Sequence, residues 1–64
     1  MDEGKNVGPV EALKMALARE EASIELYRRL SIEHKVAEDV FTFLFNEENK
    51  HKILIEKKIF ELMK

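Results

Sequence analysis

The sequence predicts an all-α fold, a two-helix antiparallel hairpin that dimerises into a four-helix bundle. Three observations lead there. Both glycines and the only proline fall within the first nine residues. From Val10 to Lys64 no helix breaker occurs, and strong helix formers dominate. The apolar residues of that stretch recur with helical periodicity, and no alternating strand pattern competes with them.

Taken in order, residues 1–8 read as a flexible N-terminal arm and residues 9–64 as the helical unit. Pro9 suits the first turn of a helix, where its missing N–H leaves no bond unmade. Glu11 follows in the positively polarised first turn. One uninterrupted helix over the rest of the chain would be about 82 Å long, which is unusual for a soluble domain. The apolar phase predicts a break instead. Leu13, Ala16, Leu17, Ile24, Tyr27 and Leu30 form one stripe. Val40, Phe41, Leu44, Phe45, Ile55, Ile59 and Leu62 form a second, and neither continues cleanly through residues 32–37. A turn at 33–36 is expected, with helices over 9–32 and 37–63.

Composition removes several classes of function. With 11 basic and 13 acidic residues the formal net charge is −2, so no basic surface of the kind that drives nucleic-acid binding is expected. No apolar run approaches the 18 or so residues of a membrane span. The polar, acidic start Met1-Asp2-Glu3-Gly4-Lys5-Asn6 does not resemble a signal peptide, and a cytoplasmic protein is expected. Cysteine is absent, which excludes disulfides and thiolate metal sites. A chain of 64 residues without such staples folds marginally by itself, leaving a non-thiolate metal or oligomerisation to stabilise it.

Each stripe is interrupted by groups foreign to a core. Steps of seven along the first helix run Leu13, Glu20, Tyr27. In the second they run Phe41, Glu48, Ile55, Leu62. His51 follows Glu48 by three residues and shares its face. An unpaired carboxylate is costly to bury, so inward glutamates imply a partner. With the turn near residues 34 and 35, Glu20 lies about 20–25 Å up one helix, and Glu48 with His51 lies about as far along the other. Antiparallel packing therefore brings two carboxylates and one imidazole to one level. A twofold copy would supply four glutamates and two histidines, the ligand set of di-iron and di-manganese bundles.

Glu20 and Tyr27, followed by Phe41-x-x-Leu44-x-x-Glu47-Glu48-x-x-His51, resemble half of the ferritin-like bundle of rubrerythrins and the two-helix unit of encapsulated ferritins. The resemblance covers about residues 10–63. It implies that Glu20 is a terminal metal ligand, Glu48 a ligand able to bridge two irons, and His51 a terminal nitrogen ligand. Tyr27 would hydrogen-bond to the ligands, and Glu47, one residue off the inward phase, would flank them. The implied cofactor is iron, two ions per dimer, with manganese the alternative. The implied chemistry is oxidation of Fe(II) or reduction of peroxide, the latter drawing on an external electron donor. The implied partner is a second copy of the chain, with higher oligomers open. The alternative is a metal-free hairpin acting as an oligomerisation or adaptor module.

The remaining features have plainer readings. His34 falls in the turn and is expected to face water. Lys50, Lys52, Lys57 and Lys58 interleave with Glu47, Glu56 and Glu61, which suggests a solvated face with i, i+4 pairs rather than a nucleic-acid site. Phe43, Ile53 and Phe60 lie off the main stripe, as isolated surface residues or as a further subunit contact.

Overall fold

A computed structural model of the chain describes residues 7–64. Of the N-terminal arm expected over residues 1–8, all but Val7 and Gly8 lies outside the described residues. Helix α1 runs Pro9–Glu33 and helix α2 runs Glu38–Leu62, each of 25 residues, joined by one turn of 3-10 helix at Lys35–Ala37. No strand occurs among the described residues. The helices pack against each other as a hairpin.

The N-terminus of α1 is built as its residues suggest. Gly8 precedes Pro9 and accepts the first helical bond, from Ala12 N–H at 2.9 Å. Glu11 stands at the third helical position, where a carboxylate favours the exposed backbone N–H groups. A Cβ added to Gly8 would lie 3.1 Å from Glu11 Oε1, so the glycine makes room for that side chain.

The turn is as short as expected but falls one residue later. The first helix ends at Glu33 and the second begins at Glu38, against expected limits of 32 and 37. Without glycine, the chain leaves the helix at His34, with φ −124° and ψ 75°, a conformation open to any L-residue. His34 N–H still donates to Leu30 O at 2.9 Å, and Ala37 N–H donates to His34 O at 3.0 Å. No side chain caps α2, but Glu38 and Asp39 place negative charge in its first turn.

Not one described side chain is fully buried. Most of both stripes lies half-buried in the interhelical seam, including Leu13, Ile24, Phe41, Ile55 and Ile59. Val40 and Leu62 depart from expectation, being 54% and 47% exposed. They lie to one side of the seam, and a hairpin offers only one neighbouring helix to cover a stripe. Phe43, Ile53 and Phe60 are exposed as expected. The Cα radius of gyration, 14.2 Å, exceeds the value of about 11 Å typical of a compact domain this long. No described helix is long and apolar enough to cross a membrane.

Candidate metal centre

The hairpin brings Glu20, Glu48 and His51 together near the middle of both helices. One ligand atom from each lies within 4.8 Å of the others. His51 Nδ1 is in hydrogen-bonding contact with Glu48 Oε1 at 3.0 Å, along one turn of α2. The same nitrogen lies 3.7 Å from Glu20 Oε1 on the opposite helix. The carboxylates are partly withdrawn from water, with 25% and 21% of the Glu20 and Glu48 side chains exposed, whereas His51 is 54% exposed. The site therefore opens on the side of the hairpin where His51 stands.

Its electrostatics follow from crowding two acids. The pKa of Glu20 is raised, chiefly because it shares a hydrogen bond with Glu48 and then because burial disfavours its charge; His51 works in the opposite direction. The pKa of Glu48 is lowered, first by accepting that hydrogen bond and further by His51. Two carboxyls this close affect each other's titration. Glu20 Oε1 is nevertheless buried without a hydrogen-bond partner. A buried oxygen left unpaired is costly, and a cation at the mouth of the site would satisfy it. Two carboxylates and one imidazole are donors of the kind that divalent transition metals accept.

The neighbours are arranged differently. Glu47 is not part of the group and pairs with Lys50 Nζ at 3.1 Å. Tyr27 lies one heptad from Glu20 toward the turn and stacks on Phe41, with centroids 6.4 Å apart and planes at 22°. It packs with an aromatic neighbour and makes no hydrogen bond to the three candidate ligands. The His34 ring is exposed and tilts against Phe41 at 6.4 Å. The lysine-rich face of α2 forms ion pairs as expected, but at i, i+3: Lys50 with Glu47, and Lys58 with Glu61 at 2.9 Å. Lys52 instead crosses to Glu21 on α1, at 3.5 Å. That cross-helix pair was not anticipated from the sequence. Its signal was positional, since Glu21 and Lys52 each directly follow a candidate ligand.

No model of a known protein family, no curated protein and no solved structure matches the chain.

Proposed function

We propose that the chain is half of a di-metal carboxylate protein of ferritin-like, rubrerythrin-like type. Two hairpins form a homodimeric four-helix bundle, and each supplies Glu20, Glu48 and His51 to a centre that binds two iron ions. Bound iron would supply one-electron redox chemistry toward dioxygen or peroxide, the basis of ferroxidase or peroxide-reducing activity. The chain's own residues hold the ions. By the resemblance, Glu48 would be the carboxylate able to bridge and Glu20 and His51 would be terminal ligands; His51 Nδ1 lies 3.0 Å from Glu48 Oε1 and 3.7 Å from Glu20 Oε1. The observation that carries this reading is the unpartnered, buried Glu20 Oε1 within reach of Glu48 and His51.

The test is the metal content of protein purified without chelator, measured with its oligomeric state. One iron per chain in a dimer is expected. A metal-free dimer that takes up neither Fe(II) nor Mn(II) would favour the second reading, a helical adaptor. The exposed apolar residues of α2 support that reading, because oligomerisation alone would cover them.

A further inference from the structure

Glu21 and Lys52 are the chain neighbours of two candidate ligands, Glu20 and His51, and they meet across the hairpin, Lys52 Nζ lying 3.5 Å from Glu21 Oε2. One residue turns a helix by about 100°, so this pair leaves the helices on a different side from the ligands it adjoins. The Lys50–Glu47 and Lys58–Glu61 pairs each stay within one turn of α2 and tie nothing across the seam. Lys52 also lies differently from those lysines. Its side chain is 32% exposed, against 72% for Lys50 and 58% for Lys58. Its methylene stem therefore rests on the hairpin while the ammonium reaches α1.

The ligands need such a tie. The contact between Glu48 and His51 is made within α2. His51 approaches Glu20 only to 3.7 Å, longer than a hydrogen bond. Glu20 and Glu48, ionised as metal ligands must be, repel each other across the seam. Left to themselves, the three groups favour a wider gap between the helices than one ion can span.

We propose that the Glu21–Lys52 pair is a brace that holds α1 and α2 at the spacing the metal centre requires, which makes both residues positioning residues of that centre. This rests on the metal-binding reading above and applies within each hairpin. The Cα of Glu21 is about 3.8 Å from that of Glu20, and the Cα of Lys52 as far from that of His51. Any roll or slide of one helix that parts Glu20 from Glu48 and His51 must also stretch the pair. Attraction on one side of the seam thus offsets repulsion at its centre, and leaves the His51 side open to an entering ion.

Mn(II) is the probe, its affinity read by titration calorimetry under conditions where circular dichroism shows each variant fully helical. Charge and geometry predict opposite signs for Lys52→Met, which keeps an apolar stem and removes the ammonium. A lysine acting only as a cation near a cation site would, on removal, tighten Mn(II) binding. Removing half of a brace should weaken it about two- to fivefold, the scale of an exposed ion pair. Glu21→Gln should weaken it as much. The exchanged pair, Glu21→Lys with Lys52→Glu, should recover most of the loss, and the differences should shrink at high salt. Lys58→Met, which breaks a pair confined to α2, should leave the affinity unchanged. Unchanged or tighter binding by Lys52→Met, or losses that the exchange does not recover, would overturn the brace; the metal centre itself would still stand if Glu48→Ala abolished binding. A wild-type chain that takes up no Mn(II) overturns both.

Discussion

Glu20 Oε1 and His51 Nδ1 approach to 3.7 Å across the hairpin, tying the middle of α1 to the middle of α2 through groups a core ordinarily excludes. Two partly exposed carboxyls stand there with one Glu20 oxygen buried and unpaired, a costly arrangement that a bound cation would relieve.

The first consequence is for assembly. With no fully buried side chain in a single hairpin, folding should be coupled to dimerisation. Sedimentation at micromolar concentration is expected to show twice the 7.5 kDa chain mass, and Tm should rise with protein concentration. A compact helical monomer with a concentration-independent Tm would contradict this.

The acid pair makes the stability of the apo protein depend on pH in a definite direction. Glu20 has its pKa raised above 4.5 on folding, so its contribution is complete below that pH and is lost as pH rises through the folded value. Glu48 has its pKa lowered from 4.5, so its contribution is present above that pH and is lost as pH falls through the folded value. The pair is therefore most favourable in the window between the two folded values. Denaturant titrations of apo wild type and Glu20→Gln should diverge with pH. The wild type should lose stability above the window, and the amide, which does not titrate, should remove most of that loss.

Metal should reverse the penalty. Fe(II) or Mn(II) bound only by the folded dimer should stabilise it by mass action, about 2.7 kcal/mol with free metal at a hundred times Kd, and so raise Tm. Glu20→Ala, Glu48→Ala and His51→Ala should each weaken that rise, read by calorimetry with and without metal. The apo form of Glu20→Ala should be as stable as wild type or more so at neutral pH, since it removes a partly buried carboxyl with an unpaired oxygen. Three variants that all keep the wild-type metal stoichiometry would show that the ligands lie elsewhere.

Redox chemistry is the most demanding expectation. Anaerobic loading with Fe(II), followed by oxygen or peroxide, should give a fast ferric absorbance phase of about two irons per dimer. The phase should disappear in Glu48→Ala, which removes the carboxylate proposed to bridge. Repeated turnover should require added Fe(II) or an external reductant, because the chain has no cysteine to hold an electron-transfer iron centre. Binding without oxidation faster than that of free iron would indicate a carrier or structural role.

Packing in the seam is testable independently of metal. Phe41 is the half-buried residue that both Tyr27 and His34 lean on. Phe41→Ala should lower dimer stability by about 2–3 kcal/mol, less than a fully buried phenylalanine would cost. A loss under 0.5 kcal/mol, read from urea unfolding, would mean that the turn end of the seam contributes little.

How much of this was legible beforehand can be traced residue by residue. The helical class, the break near His34 and the common level of Glu20, Glu48 and His51 follow from the chain alone. Helical rise and rotation are local properties, and antiparallel packing about a short turn converts sequence distance from the turn into height. Glu20 was conspicuous because a carboxylate replaced an apolar residue in a strict heptad row. What the row could not reveal was lateral position. Val40 and Leu62 share the apolar phase yet stand exposed, Tyr27 turns to Phe41 rather than to the acids, and Lys52 crosses to Glu21. Each depends on which side of the seam a side chain leaves and how closely two helices approach there. Those quantities are set by packing between segments distant in sequence, and a periodicity of about 3.6 residues carries no information about them. The same holds for Glu20 Oε1. The sequence placed a carboxylate inward, but only the assembled hairpin left one of its oxygens buried without a partner.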